Sequence, residues 1–135
     1  MHTVYLSLGT NMGQRRRRIA KAVRLLSEQV GEVVRQSQLY ETEPWGFVSK
    51  HKFINAAVCL TTTLSPHELL AVTQDIERQM GRRKKSVGGN YSDREIDIDI
   101  LLYDDLHIDT PTLTIPHPLM YEREFVMKPL NEILT

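Results

Sequence analysis

The sequence is short of several things, and each shortage excludes something. Its 135 residues contain a single cysteine, Cys59, set inside an apolar run. An intrachain disulfide framework is therefore impossible, and a reduced, cytoplasmic setting is expected. Cys59 reads as a small buried apolar residue rather than a nucleophile. Neither sign of charge is in excess: Lys+Arg and Asp+Glu both number 17. The chain thus lacks the global basic field that nucleic acid or a membrane surface would call for, and neither is expected as a partner. Long hydrophobic runs are missing too. The opening Met1-His2-Thr3-Val4-Tyr5 has no apolar core, so neither a signal peptide nor a membrane span is expected. No internal repeat, low-complexity segment or linker composition is visible. What is left is ordinary for one domain over 1–135: 41% hydrophobic and 25% charged, enough for a real core.

The charge that is present is placed unevenly. Residues 15–18 are all arginine, and residues 82–85 are Arg-Arg-Lys-Lys. The most informative stretch follows the second of these: Arg94-Glu95-Ile96-Asp97-Ile98-Asp99-Ile100. Charged and β-branched residues alternate here, the pattern of a strand with one polar and one apolar face. Side chains two apart on a strand point the same way, so Asp97 and Asp99 share a face and the isoleucines share the other. Their Cα atoms lie about 6.6 Å apart at strand rise. Carboxylates at that spacing can converge on one hard cation, or on a pair about 4 Å apart. Leu101, Leu102 and Tyr103 follow without a polar gap, so an interior strand is expected. The plain alternative is the wet face of a half-exposed sheet, although Asp is depleted in strands.

The rest of the chain supplies the frame. Residues 3–8 alternate as a strand, and Gly9-Thr10-Asn11-Met12-Gly13 breaks it. Ile19, Val23, Leu26 and Val30, with Ala22 beside them, predict a helix over about 14–29. Its first turn holds the arginines, an unfavourable place for cations; a solvated start is the plain reading and an anion contact the other. Residues 33–41 read as a second strand and 53–61 as a third. The loop between them carries Trp45, the only tryptophan, and Phe47. It reads as a lid or stacking surface, or else Trp45 is a core plug. Asn55 is the one amide in the third strand; it either ties a loop or reads a polar ligand. Ser65-Pro66-His67-Glu68 predicts a capped helix start, Leu69, Val72, Ile76 and Met80 its buried face, and Gly81 its stop. A basic, then glycine-containing loop leads to the Asp-Ile-Asp strand. Beyond it, Asp104-Asp105 marks a turn, 106–109 a short edge strand, and Ile115-Pro116-His117-Pro118 rigid irregular chain. A short helix over about 119–125 and irregular docked chain at 127–130 complete the reading.

The order strand, helix, strand, strand, helix, strand is the split βαβ arrangement. It predicts an α+β, ferredoxin-like βαββαβ sandwich. A mainly antiparallel four-stranded core sheet would carry its helices on one face, with a C-terminal extension. Carboxylates hold divalent metal, metal holds polyphosphate, and loop cations neutralise the remaining phosphate charge. Phosphoryl-type transfer is the sharpest reading. Two others compete: a non-catalytic ferredoxin-like module that binds a nucleotide or small ligand, and a two-metal nuclease or phosphodiesterase. The first leaves two strand aspartates beside a basic loop unexplained; the second has no need of the aromatic residues.

Several segments together resemble one family. They are Tyr5-Leu6-Ser7-Leu8-Gly9-Thr10-Asn11, Tyr40-Glu41-Thr42-Glu43-Pro44-Trp45-Gly46, Asn55-Ala56-Ala57-Val58, Gln74-Asp75-Ile76-Glu77, Gly81-Arg82, the Arg94 to Ile100 strand and Ile115-Pro116-His117-Pro118. In this order they resemble the 6-hydroxymethyl-7,8-dihydropterin pyrophosphokinases of folate biosynthesis. The resemblance implies pyrophosphate transfer from ATP to the pterin hydroxymethyl oxygen, releasing AMP. It implies two Mg²⁺ ions on Asp97 and Asp99, and phosphate clamping by Arg82 and Arg94. It implies ATP contacts from Gln74, Glu77, Lys84, Lys85, Ile100, Thr114, His117 and Arg123. The implied pterin pocket is Thr42, Pro44, Trp45, Phe53, Asn55, Tyr91 and Phe125, with Phe53 and Phe125 stacked on the bicycle and Asn55 on its amide edge. A cytoplasmic monomer acting on small molecules is expected. Two departures stand out. Tyr91-Ser92-Asp93 replaces an aromatic, a glycine or alanine, and a small residue or proline, and Glu43 replaces a common proline.

Overall fold

The structure, a computed structural model, describes residues 1–43, 52–81 and 96–134. Strand β1 (His2–Thr10) turns Val4, Leu6 and Leu8 to one face, where all three are fully buried. Helix α1 (Arg15–Gln29) lays Ile19, Ala22, Leu25 and Leu26 on them. Two of its arginines serve neighbouring elements. Arg15 pairs with Glu41 at 2.8 Å and donates to the Lys52 carbonyl at 2.8 Å. Arg18 donates to the Met80 carbonyl at 3.4 Å. Met80 closes helix α2 (Pro66–Gln79), so this cation sits at the negative end of that helix. The start of α2 is the expected capping box: Ser65 Oγ accepts from the Glu68 N–H at 3.3 Å, and Glu68 Oε1 accepts from the Ser65 N–H at 2.8 Å.

The predicted strand over 33–41 is two strands, β2 (Gly31–Gln36) and β3 (Tyr40–Thr42). Ser37 causes the break. Its Oγ accepts the Ala57 N–H at 2.9 Å, a bond that a main-chain carbonyl makes in a regular ladder. Both strands pair with the same side of β4 (Phe53–Thr62). The sheet order is β2-β4-β1-β5, antiparallel throughout, with β3 prolonging the β2 side. This is the predicted ferredoxin-like order.

Strand β5 (Asp97–Tyr103) corrects the expectation of an interior strand: among the described residues it pairs only with β1 and forms the sheet edge. Its unbroken apolar run has another cause. A bulge opposite Tyr5 and Leu6 makes Leu101 an extra residue. Ile98 and Ile100 then face α1 and α2, Leu101 and Leu102 pack on the opposite face, and Tyr103 returns to the first. The exposed backbone is covered as well, since His117 N–H donates to the Leu101 carbonyl at 3.1 Å. The short strand expected at 106–109 is Ile108–Asp109 (β6), paired with Thr114–Ile115 (β7) in a separate ribbon.

The C-terminal reading is corrected too. A 3-10 turn covers Met120–Glu122, and helix α3 runs Glu124–Ile133 through the segment expected to be irregular. Pro129 lacks the N–H for one helical bond. Burial of Val126, Pro129, Leu130 and Ile133 along one stripe offsets that loss. This helix also breaks the rule of helices on one face. It packs on the side away from α1 and α2, over Tyr5, Ala57, Cys59 and Leu101. Cys59 is fully buried there, as expected. Among the described residues no helix is long and apolar enough to cross a membrane.

Candidate active site

Helix α3 covers only part of its face of the sheet, and the uncovered part is where the polar residues gather. Antiparallel register sets Asp99 opposite Ser7 and Asp97 opposite Gly9, and on the other side of β1 it sets Asn55 opposite Gly9. Tyr40 and Thr42 of β3 lie opposite Asn55 and Phe53. Partners in a ladder project to the same face. Strands β1, β3, β4 and β5 thus turn two carboxylates, two hydroxyls, an amide and an aromatic ring toward one space, a cleft of about 440 Å³ counted with its open mouth. Arg123 and Phe125, at the start of α3, form its far wall. Asp97 and Asp99 are half-buried, while Ile96, Ile98 and Ile100 on the reverse face are buried in the core. The carboxylates therefore stand on a rigid element, as the alternation predicts.

Asn55 is nearly inaccessible, and its Nδ2 donates to Thr42 Oγ1 at 2.6 Å. It ties β3 to β4 and lines the cleft. Its Oδ1 lies over Gly9, where a Cβ would stand 2.9 Å away. Arg123 is buried, with its guanidinium 5.8 Å from the centre of the Phe125 ring. At the mouth, Glu43 pairs with Lys52 at 3.4 Å. Behind the wall, Tyr40 donates its hydroxyl to Glu132, and that bond holds the phenol above its ordinary range.

A second group gathers on the outer edge of β5. Glu77 of α2 is buried, and its Oε2 accepts the Ile98 N–H at 2.7 Å, between the two aspartates. By the period of two, the main-chain groups of Ile100 face this same edge. The Ile100 side chain is in the core, so its contact with any ligand is through the main chain. Gln74 lies three residues before Glu77 and shares its side of the helix. His117 closes the edge through its N–H, and its Nδ1 accepts from the Leu119 N–H at 3.4 Å. Thr114 is in β7, just before it. The expected residues thus fall into two groups that meet at Asp97 and Asp99. Pro44, Trp45, Arg82, Lys84, Lys85, Tyr91 and Arg94 lie outside the described residues.

Ser7, Gly9 and Glu43 line the cleft without having been expected to. A signal for Ser7 and Gly9 is present: they alternate with Leu6 and Leu8, so they face away from α1 and α2. Among the described residues no group of three metal-binding side chains occurs. The two aspartates are a set suited to Mg²⁺, which is commonly held by one or two carboxylates together with substrate phosphates.

Fold and site define a class: a ferredoxin-like α+β protein that presents paired carboxylates between a polar, aromatic-walled cleft and a strand edge. Comparison with known proteins narrows it. The family model of 7,8-dihydro-6-hydroxymethylpterin-pyrophosphokinase matches residues 5–135. A curated relative from Porphyromonas gingivalis, a 2-amino-4-hydroxy-6-hydroxymethyldihydropteridine pyrophosphokinase, is 48% identical over 134 residues, 98% of this chain and 91% of that protein. The protein of the same name from Bacillus subtilis is 42% identical, over 96% of this chain and 76% of its own length. A Plasmodium falciparum HPPK-DHPS triple mutant superposes with a TM-score of 0.77 over 98% of this chain at 18% identity, which speaks for the fold alone. This chain spans 40% of that longer one. The chain belongs to the 7,8-dihydro-6-hydroxymethylpterin-pyrophosphokinase family.

Proposed function

We propose that Asp97 and Asp99 are the reaction centre for the activity that family membership brings: pyrophosphate transfer from ATP to the hydroxymethyl group of 6-hydroxymethyl-7,8-dihydropterin, in folate biosynthesis. The observation that carries this is the cleft itself, which joins the two carboxylates to a buried amide and two phenylalanines. The pterin fits that space. Asn55 reads its amide edge, steadied by Thr42, and Phe53 and Phe125 hold the flat bicycle, each ring contact worth about 0.5–1.5 kcal/mol beyond burial. ATP fits the outer edge of β5, among Gln74, Glu77, the Ile100 main chain, Thr114 and His117. The hydroxymethyl oxygen and the β-phosphorus then meet over the aspartates. That oxygen attacks the β-phosphorus, the bond to the α-phosphate oxygen breaks, and AMP leaves.

Asp97 and Asp99 would hold Mg²⁺, two ions by the family resemblance. When bound, the metal neutralises phosphate charge and acidifies the attacking hydroxyl. The remaining work falls to the chain. Arg123 offers fixed positive charge to the phosphates from the far wall, and the aromatic walls exclude water. By resemblance, Arg82 and Arg94 clamp phosphate oxygens, where an arginine fork suits the geometry better than lysine. By the same resemblance, Lys84 and Lys85 belong to the ATP site, and Pro44, Trp45 and Tyr91 to the pterin pocket. All these residues belong to one domain, so a monomer suffices, and a cytoplasmic setting suits both substrates and the reduced Cys59. A binding module without turnover gives no reason for paired carboxylates where two sites meet.

The test is product identity. Incubation with Mg²⁺-ATP and the hydroxymethyldihydropterin is expected to give pterin-dependent AMP, without ADP or free pyrophosphate. Folded protein that forms no AMP would contradict the proposal.

A further inference from the structure

Strand β3 is three residues long and, among the described residues, pairs only with β4, yet it carries Thr42, the partner of Asn55 in the cleft. So short a ladder fixes its own position poorly. Arg15 of α1 pairs with its Glu41 at 2.8 Å, and α3 supplies the rest. Glu132, in the last turn of that helix, accepts the Tyr40 hydroxyl through Oε1 and the Gln38 N–H through Oε2 at 2.9 Å. Lys128, one turn earlier, stands 5.7 Å over the Tyr40 ring. Phe125 is seven residues before Glu132, two turns and about 10 Å along the same side of the helix. One end of α3 is therefore held to β3 while the other forms the cleft wall facing it.

We infer that Tyr40 and Glu132 are a positioning pair that sets the separation of the two cleft walls, Thr42 and Asn55 on one side and Phe125 on the other, and so governs how tightly the pterin is held. The inference rests on the functional reading above. Neither residue lines the cleft. Their effect passes through the placement of β3 and the tilt of α3. Gln74, Glu77, Thr114 and His117 on the outer edge of β5 belong to neither β3 nor α3, and Arg123, at the start of α3, is the one phosphate-side group the pair can move, so the pterin is affected far more than ATP.

The test compares wild type with Tyr40→Phe, Glu132→Gln and the double variant. Both single changes keep shape while weakening the tie, and thermal melting checks that each protein folds. Steady-state kinetics are expected to show the KM for the pterin raised about tenfold, the effect of losing roughly 1.4 kcal/mol. The KM for ATP and kcat stay within about twofold. The double variant falls short of the sum of the two single effects, because both act on the Tyr40–Glu132 bond, while Glu132→Gln also disturbs the acceptor of the Gln38 N–H. Hydrogen exchange of the main-chain amides of β3 quickens in all three. An unchanged pterin KM, or equal shifts in both KM values, would overturn the inference, since a merely structural bond moves neither KM selectively. If wild type itself gave no pterin-dependent AMP, the functional reading would fail instead. Unchanged exchange in β3 would then overturn the positioning pair independently, and quickened exchange would uphold it.

Discussion

A Cβ on Gly9 would stand 2.9 Å from the Asn55 amide oxygen and 3.8 Å from the Phe53 ring. Asn55 has nowhere else to go, being buried and tied to Thr42. Gly9→Ala is therefore expected to turn the amide off the pterin edge that it is proposed to read. The KM for the pterin should rise about tenfold, one misaligned hydrogen bond being worth roughly 1–1.5 kcal/mol. The KM for ATP should hold. Steady-state kinetics with each substrate varied in turn checks this, and equal changes in both would contradict it. Asn55 is legible in the sequence because an amide interrupts an apolar strand. For Gly9 and Ser7 the alternation shows only which face they take; their importance depends on which residues lie across the ladder. Only the register sets them against Asp97, Asp99 and Asn55.

Among the elements, those with a strong period are the legible ones. The alternation of β1, the stripe of α1 and the capping box of α2 each follow from local chemistry. The cap itself is testable: Ser65→Ala removes the acceptor for the Glu68 N–H. A cost of about 1 kcal/mol in unfolding free energy is expected, with turnover unchanged. Gly31 opens β2 against Thr62, and a Cβ there would meet the Thr61 carbonyl oxygen at 1.9 Å. Main chain cannot step aside, so Gly31→Ala should destabilise by about 1–3 kcal/mol and lower the thermal midpoint by several degrees. A midpoint equal to wild type would show that the strand end relaxes freely. Two elements hide from local reading. The apolar run of β5 imitates an interior strand because a bulge and the His117 segment let an edge strand bury Ile100, Leu101 and Tyr103 and half-bury Leu102. Pro129 disguises α3, since proline is read as a breaker while its ring packs as part of the buried stripe.

Across the whole molecule, the sheet divides its labour by face. One face is mainly apolar core beneath α1 and α2; the other is shared between α3 and the cleft. The sequence carries the first division as alternation and conceals the second, which depends on where α3 ends. Ionisation bears on the assembled fold rather than on the site alone. The Ser65 and Thr3 N–H groups hold the Glu68 and Asp104 carboxyls below their ordinary values of 4.5 and 3.8. Their stabilisation is present above those values and is lost as pH falls through the lower, folded ones. Tyr40, bonded to Glu132, and Tyr103, by burial, are both held above the ordinary 10.0. Their contribution is present below that value and is lost as pH rises through the folded ones. Urea midpoints should therefore be level between about pH 5 and 9 and fall on both sides. A midpoint that kept rising below pH 4 would contradict the carboxyl assignments.

The account turns on Asp97 and Asp99 as the meeting point of two ligand sites, and one measurement tests it most directly. Pterin-dependent AMP formation by wild type and by Asp97→Ala is followed at saturating Mg²⁺-ATP, with the thermal midpoint of each protein recorded. Asp97 is half-buried on the cleft face, and its removal leaves no core cavity. The midpoint should hold within a few degrees while kcat falls by at least about a hundredfold, some 3 kcal/mol of lost charge stabilisation. A folded Asp97→Ala protein that turned over at near the wild-type rate would contradict the account.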